Sequence, residues 1–370
     1  MKKLRVAVIY GGRSGEHEIS LQSAASVIRN LNPDRFEVVP VGIDKEGRWH
    51  LNDVKLIQAG SKSLPIFKDA PEVVLPPHPQ ALSTGLISMG SGKPSQVDVV
   101  FPVMHGPLCE DGSIQGLLEL AQVPYVGMGV LGSAIGMDKE VAKRLAHERG
   151  LPVVPYVSLR KKDWLHSKAE CEKRVWAELQ TPVFVKPTNL GSSLGAHKVK
   201  TKSELTAAID DAFQYDTKVL VEKAISAREI ELSALEDSKA PHGVFISVPG
   251  EIEPTHEFYS YEAKYIDEQG AKLIIPAQLS KQQVEECQNL ARRVFIALEG
   301  ESMARVDLFL DKETGKIYFN EVNTIPGFTV ISMYPKLLEA SGISYSELLT
   351  RLVDLALVRH AERSALKREK

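Results

Sequence analysis

The sequence predicts an α/β protein of two or three domains, and three observations carry that reading. The chain has 370 residues, and domains run to about 100–200 residues each. It opens with the β-branched run Arg5-Val-Ala-Val-Ile-Tyr10, stops at Gly11-Gly12 and enters a helical pattern. That is the strand, glycine turn and helix start of an α/β unit. Further runs at 36–43 and 97–101 are largely apolar, as strands covered on both faces must be.

Helices are expected at 21–31 and 113–122. Between the second and third strands, residues 60–96 carry prolines at 65, 71, 76, 77, 79 and 94, which reads as an inserted irregular loop or hairpin. A helix at 132–149 ends at Gly150, with Pro152 just beyond, and its start marks a domain boundary. A second set of elements follows: strand 153–159, helix 167–179, strand 182–186, a glycine-rich loop at 188–195, strand 197–200 and helix 203–213. Strands 218–223 and 229–235 come next, then a long amphipathic helix at 278–298. Strands 303–310 and 316–322 form a hairpin across 311–315. Ser344, with Glu347 three residues on, opens a terminal helix at 345–363 with a capping box.

Composition narrows the function classes. Apolar residues make up 43% and charged residues 25%, which excludes a disordered chain, a coiled-coil rod and a small disulfide scaffold. With 45 Lys and Arg against 48 Asp and Glu, the net charge is −3. No basic field draws in nucleic acid or an anionic membrane. Apolar stretches such as 97–103 fall far below the roughly 20 residues of a membrane helix. No signal-peptide pattern follows Lys2-Lys3, and the cysteines at 109, 171 and 287 are odd in number and far apart. These features point to the cytoplasm.

The strongest chemical signal is Ala304-Arg305-Val306-Asp307 with Asn320-Glu321-Val322-Asn323. Alternation puts Arg305 and Asp307 on one strand face, and Glu321 and Asn323 on one face of its partner. Folding about Glu313 places Arg305 nearly opposite Glu321. Three oxygen donors then converge beside a guanidinium, a set that suits Mg²⁺ with substrate phosphates. The same spacing also fits a solvated hairpin face with Arg–Glu pairs. The Pro326-Gly327 turn directly after it favours the ligand reading, because backbone amides can approach a substrate there.

The second signal is Val185-Lys186-Pro-Thr-Asn-Leu-Gly191-Ser192-Ser193-Leu-Gly195. A lysine ends an apolar strand, and small residues follow whose N–H and hydroxyl donors suit phosphate. It is neither a P-loop nor a Gly-x-Gly-x-x-Gly fingerprint, and a hairpin tip is the plain alternative. Lys139 and Lys264, taken alone, read as surface lysines. Val219–Ile225 with Arg228-Glu229 reads either as a nucleotide-binding strand end with exposed carboxylates or as a charged edge strand. In the first domain, the Glu16 loop and the loop from His105 through Glu110 face one crevice if the sheet is parallel. Cys109 lies in the second loop and reads as an unreactive thiol.

Seven motifs in order resemble the D-alanine–D-alanine ligases of the ATP-grasp superfamily. They are Gly11-Gly-Arg-Ser-Gly-Glu-His-Glu-Ile-Ser20, His105-Gly with Glu110-Asp-Gly112, Met137-Asp-Lys139, Lys186-Pro with Gly191-Ser-Ser193, Glu262-Ala-Lys-Tyr265, Arg305-Val-Asp307 and Glu321-Val-Asn-Thr-Ile-Pro-Gly327. The resemblance covers essentially the whole chain, apart from 60–96. It implies an ATP-grasp fold: a Rossmann-like domain at 1–131, a small central domain at 132–224 and a C-terminal α+β domain at 225–370, with ATP between the last two. It also implies ligation of two D-alanine molecules through an acylphosphate, for peptidoglycan precursor synthesis.

The residue roles implied by the resemblance are these. Lys139 and Lys186 contact ATP phosphates, and Ser193 and Asn320 join the nucleotide site. Glu222, Lys223 and Ile225 line the adenine hinge, and Glu229 holds the ribose. Asp307 with Glu321, and Glu321 with Asn323, hold two Mg²⁺ ions, with Mn²⁺ as an alternative. Glu16 holds the first D-alanine's ammonium in a network with Ser192 and Tyr265, and His105 belongs to the same substrate site. Arg305 and the Gly327 amide stabilise the oxyanion. Ser332 and Met333, a position where the family often has leucine, receive the second D-alanine. An aromatic-rich lid at 255–270 brings Lys264 to the γ-phosphate, and the protein is a homodimer.

Overall fold

In the computed structural model, which describes residues 2–56, 61–78, 85–192, 194–254 and 271–367, the opening apolar run becomes a central strand. Leu4–Gly11 pairs in parallel with Phe36–Ile43 on one side and Val99–Val103 on the other, and Trp49–Leu51 adds an antiparallel edge. Val6, Val8 and Tyr10 enter one core, and Ala7 and Ile9 enter another, as alternation requires of a sheet covered twice. The parallel pairing brings the loops after the first and third strands to one sheet end.

Several elements differ from expectation for local reasons. The first helix is His17–Asn30 and begins earlier than the apolar pattern indicates. Its sheet-facing side carries the buried serines Ser20 and Ser23. Ser20 accepts from the Gly11 N–H at 2.7 Å and donates to the Val103 carbonyl. The helix expected at 132–149 is two helices, Val130–Met137 and Lys139–Glu148. Asp138 between them is extended, and its carboxylate accepts from the N–H groups of Glu140 and Val141, both at 3.1 Å. The expected helix at 167–179 is likewise preceded by a separate turn, Lys161–His166. The irregular stretch at 60–96 contains a small antiparallel sheet of Val73–Val74, Gly85–Ser88 and Pro94–Gln96. The capping box at Ser344 is half formed: Ser344 accepts from the Glu347 N–H, while the Glu347 carboxylate turns to Arg351.

The second sheet is antiparallel, in the order His197–Val199, Val183–Pro187, Lys218–Lys223, Tyr156–Arg160. Lys218–Lys223 is therefore an interior strand, not the charged edge that its sequence allows. Its core, from Val157 to Val221, draws only on this sheet and its helices.

The third sheet runs Ala271–Ile274, Gly250–Pro254, Ala227–Glu236, Met303–Asp311, Ile317–Asn323, with Val244–Ile246 also paired to Ala227–Glu236. Three of these short strands, and the helix Met333–Ala340, had no clear signal in the sequence. Lys281–Ala297 packs on this sheet behind a full capping box at Ser280 and Gln283. Lys139–Glu148 joins the same core through Ala142 and Ala146. The terminal helix Tyr345–Ser364 buries Leu349, Leu352 and Val353 against Val6, Val8 and Phe101 of the first sheet. The first and last parts of the chain thus share one core.

Candidate active site

A cleft of about 1120 Å³ opens where the three sheets meet. It is lined by Glu16, His105, Lys139, Lys186, Ser192, Glu222, Lys223, Ile225 and Glu229. Arg305, Asp307, Asn320, Glu321, Asn323, Gly327, Ser332 and Met333 complete the residues that the sequence singled out. Ser193, Lys264, Tyr265 and the proposed lid at 255–270 lie outside the described residues.

The hairpin register differs from the one expected. Arg305 stands opposite Asn323, and Asp307 opposite Glu321. The turn is centred between Glu313 and Thr314, and a bulge beside Asp307 leaves Asn320 as an extra residue between Phe319 and Glu321. Such a bulge re-aims side chains at the point where it falls.

The neighbouring strand places Glu231 opposite Asp307, so three carboxylates cross the sheet in a row: Glu231, Asp307, Glu321. Like charges directly opposite repel. Arg305 relieves two of them, reaching both oxygens of Asp307 at 2.7 and 2.8 Å and Glu231 at 3.1 Å. Burial opposes its charge, but Asp307 and Glu231 hold the guanidinium pKa well above its usual value. Asn323 donates to Asp307 at 2.9 Å, and Lys139 reaches Glu321 at 3.3 Å.

The strand ends of the second sheet supply the cations. Lys186 and Glu222 lie on one face of adjacent strands and form an ion pair. Glu222 is buried rather than exposed, and its second oxygen meets Lys143 at 2.7 Å. Burial works against its charge, yet Lys143 and Lys186 hold its pKa below the usual carboxylate range. Lys186 also donates to Asn320 at 3.4 Å, and Lys139 to the Leu190 carbonyl at 2.8 Å. Asp216 accepts from the N–H groups of Thr188 and Asn189 at 3.0 and 2.8 Å, which fixes the start of the glycine-rich loop.

The loops of the first sheet meet that loop. Ser192, at φ +54°, donates to Glu16. Gly106, at φ +80°, lies so close that a Cβ there would come within 2.8 Å of the Glu16 carboxylate. His105 is buried, 3.1 Å from the Ser23 hydroxyl and 3.5 Å from Glu110. Burial opposes its protonation, but Glu110 and Glu16 raise its pKa above the ordinary value. On the far wall, Ser332 donates or accepts with Thr329 at 2.8 Å, beneath Gly327. Met333 packs with Ile252 and Leu337.

No group of three His, Cys, Asp or Glu side chains among the described residues is arranged to hold a metal by itself. Asp307 and Glu321 face each other, and Asn323, on the same strand face as Glu321, turns its amide N–H to Asp307. Two carboxylates and an amide are the donor set of a Mg²⁺ ion whose remaining ligands are phosphates and waters. The residues present fit that group.

The sequence matches the family model "D-ala D-ala ligase N-terminus" over residues 5–128 and "D-ala D-ala ligase C-terminus" over 145–354. It is 57% identical to "D-alanine--D-alanine ligase A" of Bradyrhizobium diazoefficiens, covering 99% of this chain and 98% of that protein. It is 48% identical to the D-alanine--D-alanine ligase of Caldicellulosiruptor bescii over the full length of both. The chain belongs to the D-alanine–D-alanine ligase family. The ligase match includes the 60–96 stretch, which the motifs alone left unmatched. In structure it resembles the D-alanine-D-alanine ligase from Coxiella burnetii, with a TM-score of 0.83 and 34% identity, covering 98% of this chain and 97% of that one. It also resembles VanG D-Ala:D-Ser ligase from Enterococcus faecalis, with a TM-score of 0.82 and 34% identity, covering 96% and 100%. The fold is thus that of an ATP-grasp ligase. Two groups of this ligase-like cleft escaped the sequence reading: Glu231, which pairs with Arg305, and Lys143 beneath it. Only strand register or helix phase could have pointed to them.

Proposed function

We propose that this chain joins two D-alanine molecules into D-alanyl-D-alanine, converting ATP to ADP and phosphate, and so supplies a peptidoglycan precursor. The observation that carries the reading is one cleft onto which the three larger sheets deliver carboxylates, lysines and an arginine, groups suited to binding phosphate and metal. Glu16, held by Ser192, takes the ammonium of the first D-alanine and turns its carboxylate toward the nucleotide, with Tyr265 completing the network. That carboxylate attacks the γ-phosphate, and ADP leaves. Lys139, Lys186 and Lys264 offset the charge of the transferring group, the main demand of phosphoryl transfer. Asp307, Glu321 and Asn323 would hold Mg²⁺, or Mn²⁺, which would supply further positive charge there.

The product of this step is D-alanyl phosphate. Ser332 and Met333 seat the second D-alanine, whose neutral amine attacks the acyl carbon. The Gly327 amide and Arg305 stabilise the oxyanion, and phosphate leaves. Adenine lies at Glu222, Lys223 and Ile225, ribose at Glu229, and Ser193 and Asn320 flank the phosphates. Exclusion of water protects the acylphosphate, a task we assign to 255–270. No helix among the described residues is long and apolar enough to cross a membrane. The reading places the protein in the cytoplasm as a homodimer, divided at 1–131, 132–224 and 225–370.

The test is phosphate release from ATP with D-alanine or L-alanine, followed by product analysis with D-serine and D-lactate as competitors. Release with D-alanine and formation of the D-alanyl dipeptide are expected. Equal release with L-alanine, or a predominant D-serine product or D-lactate ester, would reject the assignment.

A further inference from the structure

Lys143 is fully buried and too deep to touch substrate, yet it is tied to the centre of the cleft. It lies one helical turn after Lys139 on Lys139–Glu148, so both lysines share a helix face. Lys139 reaches the cleft wall at Glu321, and Lys143 lies beneath it. Its Nζ has Glu222 Oε1 at 2.7 Å, the Phe319 carbonyl at 3.3 Å and the Phe319 ring at 5.8 Å. All three are electron-rich acceptors, and an ammonium offers three donors and accepts nothing. Burial lowers the Lys143 pKa, and Glu222 opposes that by favouring the ammonium, the form these acceptors suit. The other oxygen of Glu222 holds Lys186. Phe319 immediately precedes Asn320, the bulged residue that accepts from Lys186.

We infer that Lys143 is a positioning residue that sets how much positive charge the cleft offers to a nucleotide's phosphates. The inference rests on the proposed ATP reading and deepens it. Two lysines and one carboxylate leave one net positive charge. By occupying one oxygen of Glu222, Lys143 leaves Lys186 only partly neutralised and free to turn toward a phosphate. Without Lys143, Glu222 would neutralise Lys186 completely, and the pair would present no net charge. The Lys143–Phe319 contact also fixes the backbone from which Asn320 projects, so the second sheet's lysine and the third sheet's hairpin are aligned by one buried side chain.

The test is calorimetric binding of ADP and of adenosine to the full chain. Lys143→Met keeps the volume and removes the charge. It is expected to weaken ADP about tenfold, the scale of one lost partly screened charge, and to leave adenosine unchanged. Adding Glu222→Gln to Lys143→Met restores one net charge on Lys186 and should return the ratio of ADP to adenosine affinity to within about twofold of the original protein's, a ratio from which any effect of Glu222 on adenine cancels. Should the Met variant fail to fold, Lys143→Gln, neutral but polar, takes its place with the same expectation. The inference is overturned if the neutral variant binds ADP normally, if adenosine weakens in step with ADP, or if the double variant gains nothing over the single one. An unsubstituted protein that binds neither ligand rejects the ATP reading itself, and this inference with it.

Discussion

At the scale of single residues, the oxyanion role proposed for Arg305 is only part of its place in the site. The structure adds that it bridges two carboxylates, Asp307 and Glu231, both less than a tenth exposed. Arg305→Ala should therefore lower turnover by about 10²–10³ and also destabilise the fold by about 3–5 kcal/mol, because it strands buried charge. Assays of kcat and denaturant unfolding check both halves; normal turnover would remove Arg305 from the chemistry. Glu321 faces Asp307 directly, whereas Asn323 sits two pairs further along, opposite Arg305, and donates to Asp307. Glu321→Gln should raise the Mg²⁺ concentration needed for half activity more than Asn323→Ala does. A titration of activity against Mg²⁺ decides it, and an unchanged requirement in the Glu321 variant excludes the two-ion arrangement.

At the scale of elements, the glycine-rich loop is held by its anchor, not by its own sequence. Asp216 accepts from the backbone and side chains of both Thr188 and Asn189. Burial works against its charge, but these donors hold its pKa below the usual 3.8. A carboxylate whose pKa is lower folded than unfolded stabilises fully above the unfolded value. That contribution disappears as pH falls through the folded value. Asp216→Asn should cost about 1–2 kcal/mol at neutral pH, and the gap from the unsubstituted protein should close below pH 3.8. Urea melts across that range measure it. A gap that persists in acid would show that the carboxylate's charge is not what anchors the loop.

For the whole molecule, the terminal helix locks the first sheet to the third. Arg359 donates to the carbonyls of Tyr125 and Gly127, at 2.6 and 2.5 Å, and lies 4.4 Å over the Tyr125 ring. Arg363, about a third exposed, bridges Glu119 and Glu301. Screened surface pairs contribute little, whereas buried carbonyls left without donors cost more. Arg359→Ala should lower stability by about 2–3 kcal/mol, and Arg363→Ala by less than about 1 kcal/mol. Denaturant midpoints compare them, and equal losses would mean that the clamp is purely electrostatic. The sheet from Tyr156 to Lys223, with a core of its own, should melt or exchange separately from this locked pair.

Much of the site was legible because its chemistry is local in sequence. Arg305 and Asp307, Glu321 and Asn323, and Lys186 with Gly191 and Ser192 lie within a few residues of each other, and strand alternation alone assigns their faces. The strand at Phe36–Ile43 and the strand at Lys218–Lys223 were legible from apolar runs and flanking polar residues. What the sequence could not show depends on pairings across long separations. A turn centred half a residue later than expected and a one-residue bulge together moved Arg305 from Glu321 to Asn323, and no local propensity encodes that slip. Lys143 reads as a surface lysine until helix phase and the third sheet bury it against Glu222. Lys218–Lys223 reads as a possible edge until Tyr156–Arg160 pairs with it. The sequence by itself determined most of the candidate groups and the elements on which they lie. The tertiary structure decided which charges face each other, because register and burial belong to the pair and not to either strand.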